Sequence, residues 1–120
     1  MEAVLELLVP GGIRTLQPWH RLYKGRYTGD EDTSRKLAYH NGTVWAWPFP
    51  MLAEALVSTG MASKETALAV LASAVENINS GALAHMSEIC DGDSPHAQKG
   101  CIAQAWSESE LLRVWLRITA

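Results

Sequence analysis

The sequence predicts an all-α fold of about four helices joined by two long loops. Three observations carry that prediction. Ala67, Leu68, Leu71, Ala74, Val75 and Ile78 fall on one face of a helix. Pro48 and Pro50 precede MLAEALVST, which runs to Gly60. A third apolar-rich run spans Ile102 to Ile118, and no segment shows convincing strand alternation.

Taken in order, residues 2–9 place Val4, Leu5, Leu7 and Leu8 at apolar positions and stop at Pro10-Gly11-Gly12. They read as the last turns of a helix. Residues 10–46 mix Pro, Gly, Asp, Tyr and Trp without a sustained period, a long loop of the kind that is usually functional when ordered. A helix then begins at Pro48 and ends at Gly60. Ser63 is the expected N-cap of the next, over 63–80, with Glu65 near the positive end of its dipole and Gly81 ending it. A second irregular stretch covers about His85 to Gly100. The final helix, about 102–118, has apolar residues on more than one face and so expects neighbours on several sides.

Composition narrows the function. The chain has 120 residues, 48% hydrophobic and 19% charged, with a formal net charge of -3. That is one ordered domain at most. The ten Lys and Arg residues are scattered, so no basic stripe exists to track a nucleic acid backbone. No apolar run approaches the roughly 20 residues of a membrane span. Glu2 and Glu6 stand where an export signal carries positive charge, so the expected location is cytoplasmic and Cys90 and Cys101 are read as free thiols. Five Trp against one Phe suit stacking on sugar rings or an ordinary core.

The two loops hold nearly all the residues capable of chemistry. Tyr39-His40-Asn41-Gly42-Thr43-Val44-Trp45-Ala46-Trp47 sets aromatics beside amide, imidazole and hydroxyl groups. It reads either as a polyol-binding edge or as an Asn-Gly turn with its aromatics packed inward. In Ser87-Glu88-Ile89-Cys90-Asp91-Gly92-Asp93-Ser94-Pro95-His96, three carboxylates fall within six positions. One can serve as acid or base, or the stretch is a solvated acidic turn. A metal site built from His85, Asp91, Asp93 and His96 matches no zinc or EF-hand spacing.

Tyr39–Trp45, Ser87-Glu88-Ile89, Asp91-Gly92-Asp93 and Gly100-Cys101-Ile102-Ala103-Gln104-Ala105-Trp106-Ser107 occur in this order. Together they resemble the C-terminal domain of bacterial and archaeal glycogen-debranching enzymes, the amylo-α-1,6-glucosidase family. Gly12–Leu16 and Tyr23–Tyr27 are similar to the segments preceding the first block. The resemblance spans nearly the whole chain and implies a single C-terminal fragment, residues 1–120, of a glucosidase domain with an (α/α)6 barrel. It implies that Glu88 is the general base of an inverting cleavage of α-1,6 branch points in a glycogen-like glucan. Tyr39, His40, Asn41, Trp45, Gln104 and Trp106 match positions near the glucose subsite or in the shell around Glu88. The acid partner lies upstream in the family. Neither metal nor cofactor is implied.

Three departures stand out: Ala46 in place of a usual proline, Cys90 in place of a usual aromatic, and four helices where the barrel needs twelve. The last implies that Trp106, Leu112, Trp115 and Leu116 are exposed unless the missing helices come from another chain or the chain self-associates. Two alternatives to an enzyme fragment follow: a non-catalytic glucan-binding piece, or a self-associating barrel remnant.

Overall fold

The computed structural model describes residues 2–120, with side chains from residue 4 onward. The chain opens with α1 (Glu2–Leu5), then β1 (Leu8–Val9) and β2 (Gly12–Arg14). A π-helical turn, Glu31–Arg35, continues as α2 (Lys36–Tyr39) and leads to β3 (Val44–Trp45). Helices α3 (Pro48–Ser58) and α4 (Lys64–Ile78) follow, then β4 (Ile89–Cys90), β5 (Gln98–Lys99) and α5 (Ala105–Thr119).

The expected all-α class, with its partial (α/α)6 barrel, is overturned by the sheet. Five strands pair antiparallel in chain order, β1 to β5. Trp45 lies opposite Ile13 on one side and Ile89 on the other, and Ile89 opposite Lys99. Each strand is only two or three residues long, too short to display a period of two. Val44, Trp45, Ile89 and Cys90 are all buried, so no polar residue alternates with them. The same pairing corrects the two loops, because β2, the π turn, α2 and β3 lie within 10–46, and β4 and β5 within 85–100. It also shortens the first helix. Pro10 and Gly11 reverse the chain, so Leu8–Val9 pair with Gly12–Ile13 instead of extending α1.

The three long helices match the sequence pattern closely. Pro48 at the first turn of α3 needs no hydrogen bond there. That helix closes on Gly60 at φ +70°, where the Met61 N–H reaches Leu56 O at 2.8 Å in a Schellman arrangement. In α4 the Ser63 hydroxyl accepts from Thr66 N, and Ala67, Leu71 and Ala74 form its buried stripe. The three helices pack on one another. Phe49, Ala53, Leu71, Met86, Leu111 and Val114 belong to the core between them. Val9, Val44 and Cys90 form a smaller cluster in the sheet.

Helix α5 starts three residues later than expected. It turns Ser107, Leu111, Val114 and Ile118 inward. Trp115 packs at the core's edge, whereas Leu112 and Leu116 stay about three-fifths exposed, at 60% and 59%. The apolar residues beyond the core stripe therefore form an uncovered face. No helix among the described residues is long and apolar enough to cross a membrane.

Candidate functional site

Glu88 sits just before β4, and its backbone N–H donates to Cys101 O at 2.8 Å. In return the Cys101 N–H donates to Glu88 Oε2 at 3.0 Å. The other carboxylate oxygen, Oε1, accepts from the Tyr39 hydroxyl. Two donors far apart in the sequence thus fix both oxygens. Burial first, then the Glu88 hydrogen bond and charge, push the Tyr39 phenol well above its ordinary pKa. It therefore remains a proton-bearing donor toward the carboxylate.

Tyr39 is itself locked by the turn between α2 and β3. Its carbonyl accepts from Thr43 Oγ1 at 2.6 Å and from the Trp45 indole N–H at 3.2 Å. Its ring meets Trp45 and His40 edge-on, with centroids 4.9 and 4.7 Å away. His40 stacks parallel to Trp45 at 5.8 Å. Tyr27, under the Arg35 guanidinium, lies 5.8 Å from Tyr39. Together with Glu31, Asp32 and Lys36, the residues Tyr27, Tyr39, His40 and Glu88 surround a cavity of about 470 Å³.

Of the residues singled out in the sequence, Glu88, Tyr39 and His40 thus meet in one cavity. Trp45 and Trp106 are one ring further away, with centroids 6.0 Å apart. Asn41 and Gln104 serve the backbone instead. The Asn41 amide donates to Leu37 O at 2.7 Å, and its carbonyl receives the Lys24 N–H. Gln104 caps α5 through its main chain, and among the described residues no hydrogen bond joins its side chain to Glu88. The donor that reaches the carboxylate from this side is the Cys101 N–H and not the Gln104 amide. That backbone donor carries no residue-type signature and is invisible in a sequence. Tyr27 and Lys36 lining the same cavity were not foreseen either, although Tyr27 ends one of the blocks quoted above.

The acidic loop is not a solvated turn. Asp91 is buried, accepts from the Tyr27 N–H at 2.8 Å and lies 3.7 Å from Arg26. Asp93 accepts from the Tyr23 hydroxyl at 3.0 Å. His96 donates to the Asp91 carbonyl, and His85 pairs with Glu108 at 2.9 Å. Arg26 lies between Asp91 and Asp93, and no group of three or more metal-binding side chains gathers among the described residues. Both cysteines are free. Burial, above all, raises the Cys90 thiol, whereas Cys101 is exposed.

A family model described as amylo-alpha-1,6-glucosidase matches residues 1–113. The chain belongs to the amylo-alpha-1,6-glucosidase family. It is a domain of the kind found C-terminally in glycogen-debranching enzymes. No curated protein matches the chain.

In this amylo-alpha-1,6-glucosidase domain the main chain aims the carboxylate. Gly100 has φ +71°, and that left-handed turn presents the Cys101 N–H to Glu88. A Cβ at Gly100 would sit 2.6 Å from Glu88 Oε2 and 3.1 Å from Ile89 Cγ1. Gly60, at φ +70°, has nothing within 4 Å of the corresponding position. Gly60→Ala therefore reports conformational strain alone, about 1–2 kcal/mol. Gly100→Ala is expected to lose that amount and more, since the carboxylate must move. Urea unfolding of both variants measures the difference, and equal losses would refute a contact between Gly100 and Glu88 that matters.

Proposed function

We propose that this domain supplies the general base, Glu88, of an inverting glucosidase that cleaves α-1,6 branch points of glycogen-like glucans. The single observation that carries the reading is the tethered carboxylate. Glu88 is held by the Tyr39 hydroxyl and the Cys101 N–H at the wall of a cavity large enough for a sugar. A base must hold a water against the anomeric carbon, and fixing both oxygens limits the rotation that would misplace it. Aromatic faces at Tyr27, Tyr39 and His40 suit the apolar side of a glucose ring, while Lys36 and Asp32 on the exposed rim can meet its hydroxyls.

Inverting hydrolysis needs a second carboxyl roughly 6.5–9.5 Å from the base. In this reading that acid comes from a segment outside these 120 residues. The uncovered Leu112 and Leu116 on α5 support such a neighbour, whether it belongs to the same polypeptide or to another.

The anomer of the released sugar tests the proposal. Combined with a polypeptide carrying the second acid, the domain is expected to release glucose from a branched limit dextrin. Proton NMR during the first minutes should show the β-anomer ahead of mutarotation, because inversion at an α-linkage yields it. Early α-anomer, or no glucose at all, would sink the assignment.

A further inference from the structure

The segment that carries Glu88 is fastened two residues earlier, at Met86. The Met86 N–H donates to Glu108 Oε1 at 3.1 Å, and its carbonyl accepts from the Gln104 N–H at 2.8 Å. Its side chain is buried in the core between the helices. The Glu88 N–H then meets Cys101 O, so residues 86–88 run alongside 101–104, the lead into α5. Upstream the chain lies at the surface, with Leu83 exposed and Ala84 at φ +61°. We propose that Glu108 is a positioning residue for Glu88: by holding Met86 it keeps the Glu88 carboxylate in register with the Cys101 N–H. This rests on reading Glu88 as the base.

Glu108 Oε1 takes two donors, the Met86 N–H and His85 Nδ1 at 2.9 Å. The two are not equal. His85 is half exposed, so its ion pair contributes little. Met86 is buried, and its N–H has no other acceptor among the described residues. Although burial opposes ionisation, the Met86 N–H and His85 hold the Glu108 carboxyl below its usual pKa range. Its place in the first turn of α5, at the positive end of the helix dipole, acts in the same direction. The acceptor is therefore a carboxylate, stronger than a neutral one. What carries the tie to Glu88 is the pairing of the two segments. Glu88 moves with 86–88, whereas the N–H that holds its Oε2 belongs to Cys101. A slide of one segment along the other separates them, and a misplacement of about 1 Å is enough to cost about a hundredfold in rate.

Residue type alone does not separate Glu108 from Glu110 in Ser107-Glu108-Ser109-Glu110. Their directions do, since two positions along α5 turn the first toward Met86 and the second toward Arg113.

The test compares Glu108→Ala, which removes the acceptor, with Glu108→Gln, whose amide oxygen keeps it. In ¹⁵N-correlated NMR of the 120-residue chain, the Cys101 N–H signal is expected to shift in Glu108→Ala and to return near its wild-type position in Glu108→Gln. Combined with the polypeptide carrying the second acid, Glu108→Ala should lower kcat by roughly tenfold or more and leave KM within about twofold, with Glu108→Gln restoring the rate. His85→Ala, which leaves the Met86 bond in place, should stay within about twofold of wild type. A Glu108→Ala chain with an unmoved Cys101 signal would overturn the positioning role. So would unchanged kcat beside an inactive Glu88→Gln variant, and that outcome leaves the base assignment standing. Equal losses in Glu108→Ala and Glu108→Gln would overturn it as well, since charge rather than the Met86 bond would then matter. A shifted Cys101 signal with full activity in both Glu108→Ala and Glu88→Gln would overturn the base and its positioning together, leaving a structural tie only.

Discussion

A Glu88→Gln variant is expected to lose roughly 10²–10⁴-fold in glucose release while folding almost as the wild type does. On the proposed reading, the size of the loss follows from removing a base that takes a proton in the transition state. The small folding cost follows from the two tethers. A glutamine amide turned with its oxygen toward the Cys101 N–H keeps that bond, and its NH₂ can donate to the Tyr39 oxygen, which accepts as well as donates. Shape and hydrogen-bond count are thus conserved and only basicity is lost. Initial rates on a branched dextrin, measured beside thermal unfolding of both proteins, check this. Residual activity within about threefold of wild type, in a variant that unfolds normally, would remove Glu88 from the mechanism.

Tyr39→Phe probes the same carboxylate less severely. It deletes one tether and leaves the charge, so its effect belongs to positioning rather than to proton transfer. Lost alignment without lost basicity is expected to cost less than Glu88→Gln.

The helices were legible in the sequence because each carries its own local signals. Ser63 caps α4 through its hydroxyl, Pro48 opens α3 and Gly60 closes it, all as the residue types predict. The centre of the sheet was not legible, because nothing local defines it. Val44 and Trp45 become a strand only when Ile13 and Arg14 arrive on one side and Ile89 and Cys90 on the other. Pairs separated by thirty residues or more leave no periodic trace in strands of two or three. The all-α expectation failed for that reason.

The site divides along the same line. Tyr39, His40 and Glu88 could be singled out from residue type and motif order, and the sheet brings them together. What the sequence hid is whatever acts through the main chain. The Cys101 N–H and the left-handed turn at Gly100 orient Glu88 without any side-chain donor. Asn41 and Gln104 were singled out for polar side chains that the structure spends on the α2 terminus or leaves unbonded to Glu88.

Asp91 carries the other large expected effect, and it falls on stability. Its side chain is 3% exposed, and Oδ1 accepts the Tyr27 N–H at 2.8 Å. Asp91→Ala leaves that half-buried N–H with no protein acceptor, which costs about 1–3 kcal/mol. Arg26 adds little, being half exposed and keeping Asp93 at 3.5 Å and Ser94 O at 2.7 Å. Asp91→Asn retains an acceptor of the same shape and should recover most of the loss. Urea unfolding of the two variants separates the cases, and a loss below about 0.5 kcal/mol for Asp91→Ala would refute the role. The consequence reaches the cavity, because the Asp91 carboxylate is what holds the Tyr27 backbone beside Tyr39. With that anchor gone, the Tyr27 wall of the Glu88 cavity loosens, and on the proposed reading sugar affinity should fall further for Asp91→Ala than for Asp91→Asn even at temperatures where both remain folded.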